Sequence, residues 1–306
     1  MQIWRRIDGD TKNFQGGVLT VGNYDGLHIG HQRLLREGEK VGHPLIVMTF
    51  DPHPRQVLQP EKHLKRLFPR DDLGEQLPLY GVDLAVILHF DHKFAALSAR
   101  EFLEQFVWQP FHPRHIVAGY DFAFGKGREG TLDVLKVWAA EKNVTVDVVQ
   151  PLEKDGAVVS SRRIRDLILK GDVAGAEVLL GRPFYLRGEV IAGQGRGKTI
   201  GIPTLNQRVV NETLPPNGVF ASRVRFEGSV YNSVTNVGTN PTFESGVLVK
   251  VETHVLDTVA EWRGHVIDVE LIERLRDEKK FSSVEDLKKQ VQSDILKARS
   301  ILGARK

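Results

Sequence analysis

The apolar positions of this chain change their period near the middle. In the first half, short unbroken runs alternate with one-sided helical stripes. Residues 18–21, 44–50, 83–90, 115–119 and 144–149 read as strands, and the 44–50 run Pro-Leu-Ile-Val-Met-Thr-Phe suits a strand covered on both faces. Helices are expected from near Gly30, with Leu34 and Leu35 on one face, over 99–111, where Phe102, Leu103, Phe106 and Val107 form a stripe, and over 132–142. Strands that alternate with helices in this way predict a doubly wound parallel sheet, the Rossmann-like α/β class.

A short helix bracketed by Lys170-Gly171-Asp172 and Gly181-Arg182-Pro183 ends this texture. Beyond it, β-branched alternation with many turn residues predicts strands at 186–191, 219–226, 230–236, 249–256 and 266–272, and so a small antiparallel barrel. The division falls at 1–181 and 182–306. A terminal helix is expected after a capping box of Ser282 and Glu285, with Val284, Leu287, Val291, Ile295 and Leu302 on its packing face.

At 306 residues there is chain enough for about two cores. Hydrophobic residues make up 41% and charged residues 26%, which excludes a disordered chain, and a net charge of +3 does not argue for nucleic acid. The chain has no Cys, its start Met-Gln-Ile-Trp-Arg-Arg lacks an apolar leader core, and no segment is long and apolar enough to span a membrane. A cytoplasmic location is expected.

The chemistry concentrates first in residues 17–31. A strand runs into a turn through Gly22 and Gly26, and a helix starts near Gly30, a junction whose backbone N–H groups and dipole favour phosphate. His28 and His31 are close enough on one helical face to meet the same anion. They could ligate a metal, which would need a third donor in a chain without Cys. They could be ordinary histidines. They could also donate to the oxygens of a phosphate under attack. Asp51-Pro52-His53-Pro54-Arg55 follows another strand as a Pro-rich turn or a ligand contact, and Asp121 sits in a glycine-bounded loop extended by Lys126, Gly127, Arg128 and Gly130. Ser160-Ser161-Arg162-Arg163-Ile164-Arg165 opens a helix with arginines whose charge opposes its dipole.

Gly22-Asn23-Tyr24-Asp25-Gly26-Leu27-His28-Ile29-Gly30-His31 resembles the signature of nucleotidylyltransferases as found in bacterial bifunctional riboflavin kinase/FAD synthetases, with Tyr24 where Phe is usual. Asp51-Pro52-His53-Pro54 and Gly119-Tyr120-Asp121-Phe122-Ala123-Phe124-Gly125 are similar to further segments of that family. So is the Ser-Ser-x-x-Ile-Arg stretch, with Arg162 replacing Thr. The resemblance implies transition-state roles for His28 and His31, and nucleotide contacts from Gly22, Asp25, Gly30, Asp121, Ser161 and Arg165.

In the second half, residues 192–206 hold Gly197-Lys198-Thr199, which mimics a P-loop, but Ile200-Gly201-Ile202-Pro203 does not start the helix that a P-loop requires. What remains is a glycine-rich anion loop beside Thr204 and Asn206, two oxygen-bearing side chains suited to one hard cation. Gly-Arg-Gly followed by Gly-x-Pro-Thr-x-Asn resembles the riboflavin kinase signature, with Leu205 for Ala. Asn217-Gly218-Val219-Phe220, Asn236-Val237-Gly238, Pro241-Thr242-Phe243 and Val251-Glu252-Thr253-His254-Val255-Leu256 extend the likeness. It implies magnesium at Thr204 and Asn206, ATP phosphates at Gly195, Lys198 and Gly201, and Glu252 as base. Read from alternation alone, Lys250, Glu252 and His254 share one strand face, which could equally meet solvent.

The expected activity is phosphorylation of riboflavin to FMN and adenylylation of FMN to FAD, with ATP as co-substrate and Mg2+ as cofactor. The expected partners are riboflavin, FMN, FAD and ATP, without nucleic acid or membrane and with weak self-association left open. Two other readings stand beside it. An adenylyltransferase for a nicotinate or pantetheine substrate would have no reason to carry the barrel, and a non-catalytic flavin- or RNA-binding protein would call for an aromatic and basic module that is not evident.

Overall fold

The architecture comes from a computed structural model, which describes residues 1–305 apart from 8, 70, 194–196, 198–200, 243–245 and 259–261. Two compact units emerge. One comprises residues 1–65 and 70–160, the other residues 66–69 and 161–306.

The first unit is built on six parallel strands: β1 (Gln2–Trp4), β2 (Val18–Val21), β3 (Leu45–Asp51), β4 (Leu84–His89), β5 (His115–Gly119) and β6 (Thr145–Val149). Their order is β1-β4-β3-β2-β5-β6. The chain first builds outward from β2 through β3 and β4, then crosses back to lay β5 and β6 on its other side, so the direction of winding switches between β2 and β5. The central strands are buried along most of their length because both faces are covered, with Thr20 and Thr49 as buried polar positions among apolar neighbours. Leu19, Val21, Ile46 and Met48 pack into one core, and Val18, Leu45 and Val47 into another. The first helix, α1 (Ile29–Val41), sends Leu34 and Leu35 into the second core. Edge strand β6 is only half covered. The 99–111 stretch is helical, with a π-type turn at Leu103–Trp108, and α2 spans Leu132–Glu141. Strand β1 was not legible in its three residues, and neither was the two-residue hairpin of β7 (Glu153–Lys154) and β8 (Ala157–Val158).

The second unit opens with α3 (Ser161–Lys170) and α4 (Val173–Leu180). These are followed by β9 (Phe184–Ile191), β10 (Leu205–Val209), β11 (Gly218–Phe226), β12 (Ser229–Thr242), β13 (Gly246–Val255) and β14 (Val266–Arg276), which close a barrel in the order β10-β13-β12-β11-β14-β9. All its pairings are antiparallel. Strand β10 is absent from the expected set, because the turn-rich loop before it masks the start of a five-residue strand. Inside the barrel the hydroxyl of Ser222 lies 2.7 Å from those of Ser233 and Thr235, and that of Thr235 lies 2.9 Å from Thr253. The buried polar positions of three strands thus satisfy one another.

The last helix, α5 (Val284–Ala304), packs Ala298 and Leu302 against Val219, Ala221 and Val234. Two expectations about it are corrected. Its N-cap is Ser283, whose Oγ accepts from the Asp286 N–H at 3.1 Å, so the cap lies one residue beyond Ser282 and its partner is Asp286 in place of Glu285. With that start, Val284 falls outside the buried stripe and is 64% exposed.

The structural division at 160/161 differs from the sequence boundary at 181/182, because α4 buries Val173, Ala176, Leu179 and Leu180 and packs on β9 and β14. A four-residue piece of the first half also belongs here. The Arg66 carbonyl accepts from Thr213 Oγ1 at 2.7 Å, the Arg66 N–H donates to Glu212 at 2.9 Å, and the buried Phe68 ring meets Phe184 and Tyr185 at 5.4 and 4.8 Å.

Candidate active sites

The turn between β2 and α1 stands at the carboxyl end of the central strand, beside the point where the winding direction changes. Tyr24 and Leu27 both have left-handed backbones, with φ of 47° and 41°, although neither is glycine. Burial holds them there, since each is only 1% exposed. Tyr24 keeps its hydroxyl 2.8 Å from Thr20 Oγ1, so the extra oxygen of Tyr over Phe is satisfied, and burial drives its pKa upward. Gln32, which the sequence did not single out, donates from Nε2 to the Leu27 carbonyl at 2.9 Å and pins the turn from inside.

His28 is the N-cap of α1. Its Nδ1 accepts from the His31 N–H at 3.3 Å, so one helix N–H expected to be free for phosphate is already used. A ring that accepts at Nδ1 carries its proton on Nε2, which leaves an N–H donor. Stacked on it is the His31 ring, 3.7 Å away and 15° from parallel. Burial, with His28 alongside, pushes the His31 pKa well below 6.5, so that ring is neutral at pH 7, and its Nδ1 is buried without a hydrogen-bond partner. Gly30 gives the pair room, because a Cβ there would lie 3.2 Å from two atoms of the His28 ring and would push that ring by a few tenths of an ångström.

Around this turn, Gly22 follows β2, Asp51 ends β3 and Asp121 follows β5, so the ends of three adjacent parallel strands bring these residues to one sheet edge. Asp25 lies within the turn and Asp121 is exposed. His53 has a local role. It caps a short helix, Pro54–Leu58, accepting from the Arg55 N–H at 3.1 Å while Gln56 returns to its own N–H. Ser161 and Arg165 lie one turn apart on α3 in the second unit, and Arg162 between them is exposed.

On the barrel, register assembles the second site. Asn206 on β10 and Asn236 on β12 both stand opposite Glu252 on β13, forming one rung across three strands. The alternation expected from sequence holds: Val251, Thr253 and Val255 are buried, whereas Glu252 pairs with Lys250 at 2.7 Å on the outer face. His254 Nδ1 lies 2.7 Å from the Pro203 carbonyl, tying the loop before β10 to the rung. Leu205, the departure from Ala, is 8% exposed on the buried side of β10, where a larger apolar group adds to the filling. Two glycines crowd the oxygen-bearing pair. A Cβ on Gly193 would collide with the Asn206 amide, and one on Gly197 would lie 3.2 Å from Thr204 Oγ1. Gly201 has φ +76°, and Ile202 donates to the Gly197 carbonyl at 2.9 Å. Gly195 and Lys198 lie outside the described residues. Asn236 and Asn217 were visible only as parts of matched segments, and Glu278, which binds Asn217, carried no signal beyond its charge.

Comparison with known proteins agrees with this division. Residues 10–163 match the FAD synthetase family and residues 180–302 the riboflavin kinase family. The bifunctional riboflavin kinase/FMN adenylyltransferase of Bacillus subtilis (strain 168) is 35% identical over 285 residues, covering 90% of both chains. The Escherichia coli (strain K12) protein of the same name is 35% identical over 297 residues, 95% of both. A solved structure described as the macrolide-efflux protein from Streptococcus pneumoniae superposes with a TM-score of 0.87 at 33% identity, over 95% of this chain and 97% of that one. Among the described residues no helix is long and apolar enough to cross a membrane. The two family matches and the near full-length relatives make this chain a member of the bifunctional riboflavin kinase/FMN adenylyltransferase family.

Proposed function

We propose that the chain converts riboflavin to FMN at the barrel site and FMN to FAD at the parallel-sheet site, using ATP in both steps. In the first, the γ-phosphoryl group passes to the terminal ribityl hydroxyl and ADP leaves. In the second, an oxygen of the FMN phosphate bonds to the α-phosphorus of ATP and pyrophosphate leaves. The observation that carries the reading is the presence of two unlike sites in one chain, a neutral stacked histidine pair at the switch of a parallel sheet and a carboxylate–amide rung on a barrel.

Adenylyl transfer gathers negative charge on the α-phosphate oxygens, and His28 meets it with the Nε2–H that its capping bond fixes. His31, held neutral, supports the ring by stacking and adds a second N–H donor, so that the pair meets the phosphate with hydrogen bonds and no positive charge. Gly22, Asp25 and Gly30 shape the turn against the nucleotide, with Asp121 as a further nucleotide contact, and Ser161 and Arg165 are assigned to nucleotide by the resemblance of their segment alone. At the barrel, Glu252 takes the proton of the ribityl hydroxyl as it attacks, while Lys250 holds the carboxylate in place. A hydroxyl and an amide oxygen, Thr204 and Asn206, suit a hard cation completed by phosphate oxygens. Magnesium there would neutralise charge on the transferred group. By the resemblance of their segment, Gly195, Lys198 and Gly201 are assigned to the ATP phosphates.

Incubating the pure protein with riboflavin, ATP and magnesium and separating the flavins over time tests the reading. FMN should appear first and FAD after it. Riboflavin that remains unphosphorylated would refute the barrel assignment, and FMN that accumulates without FAD would refute the other.

A further inference from the structure

Beyond the rung lies a carboxylate with no role in the reaction so far. Gly238 follows Asn236 by two residues on β12, on the same outer face and opposite Lys250. Its lack of a side chain makes room for Glu278, since a Cβ built there would lie 2.7 Å from Glu278 Oε1 and 3.5 Å from Asn236 Nδ2. The other carboxylate oxygen is held by Asn217 Nδ2 at 2.8 Å. The loop that carries Glu278 is fixed at both ends. On one side Arg276 grips Asp294 of α5, which is 1% exposed, through Nη2 at 2.8 Å and Nε at 3.0 Å, and on the other Ser283 caps that helix. Glu278 is therefore held in place before any ligand arrives.

Successive residues on one face of a strand are about 7 Å apart, so Glu278 stands roughly that far along the barrel from the Asn206–Glu252–Asn236 rung. A flavin whose terminal ribityl hydroxyl is at Glu252 has the rest of its polyol within that span. Each polyol hydroxyl is a donor, and a carboxylate is acceptor-only. We propose that Glu278 is a binding residue for the flavin substrate of the kinase step, accepting hydrogen bonds from ribityl hydroxyls other than the one that reacts. The inference rests on the kinase reading above and deepens it.

The test compares riboflavin with lumiflavin, which has the same ring system and no ribityl chain, in the full-length protein. Glu278→Ala should raise the KM for riboflavin about tenfold or more, the worth of a hydrogen bond to a charged group, and leave the KM for ATP within about twofold. Glu278→Gln, which retains an oxygen for Asn217, should fall between. The inhibition constant of lumiflavin should not change in either variant, and together with the unchanged KM for ATP in the kinase step it serves as the check that the barrel is folded. If riboflavin and lumiflavin weaken together, Glu278 only orders the loop or meets the ring, and the proposal is overturned. An unchanged KM for riboflavin overturns it as well. If the unmutated protein fails to phosphorylate riboflavin, the kinase reading itself falls and takes this inference with it, an outcome distinct from the other two.

Discussion

His28 does two jobs with one ring, and they can be separated. Asn is a strong N-cap, so His28→Asn should keep the helix start within about 1 kcal/mol while removing the imidazole donor, whereas His28→Ala loses both. FAD formation should fall about 10²-fold or more in each variant, but only the Ala variant should show a lowered unfolding midpoint. His31 gives a pH signature. Its folded pKa lies below the ordinary 6.5, so below that pH the unfolded chain binds a proton that the folded chain refuses. Its contribution to stability is full above about pH 6.5 and is lost as pH falls, by at most about 1.4 kcal/mol per pH unit, until the folded pKa is reached. Urea unfolding at several pH values should show a shallower loss in His31→Asn than in the unmutated chain; equal slopes would contradict a buried neutral ring. At this scale the sequence revealed residue types and spacing. It could not reveal that Nδ1 of His28 is spent on the backbone, because an aspartate or a serine would cap the same helix and nothing in the motif distinguishes a capping histidine from a free one.

Elements were legible where burial made their pattern strong. β2 and β3 sit in mid-sheet with both faces covered, and their runs of apolar residues announced them. β1 and β10 are short, and β10 hides behind glycine and proline, so composition pointed to a loop where barrel closure imposes a strand. The start of α5 was misplaced by one residue because adjacent serines, each with an acid three positions on, present two equivalent boxes. Packing of Ala298 and Leu302 sets the helix phase and so chooses between them. Ser283→Ala should therefore lower stability by about 1 kcal/mol, and Ser282→Ala by much less, as thermal unfolding of the two variants would show. A larger effect at Ser282 would place the cap where the sequence alone put it.

For the whole molecule, the sequence located a change of texture, whereas the contacts of α4 and of the 66–69 segment decide which residues fold together. Texture is local, and Phe68 is far in sequence from the Phe184 and Tyr185 rings that bury it. A fragment starting at residue 161 should fold and make FMN, with reduced stability because the Phe68 side chain is missing. One starting at 182 also loses the apolar surface of α4 and should fail to fold. Circular dichroism and FMN formation on the two fragments check this, and equal stability would restore the boundary at 181/182. The central claim is that one chain holds two chemically separate sites, and the reciprocal pair His28→Ala and Glu252→Gln tests it most directly. With riboflavin and MgATP supplied, the flavins would be separated by chromatography over time. His28→Ala should accumulate FMN with FAD formation slowed about 10²-fold or more; Glu252→Gln should leave riboflavin unconverted by a similar factor yet turn supplied FMN into FAD at the normal rate. Loss of both activities in both variants, or FMN formation at the full rate without the Glu252 carboxylate, would contradict it.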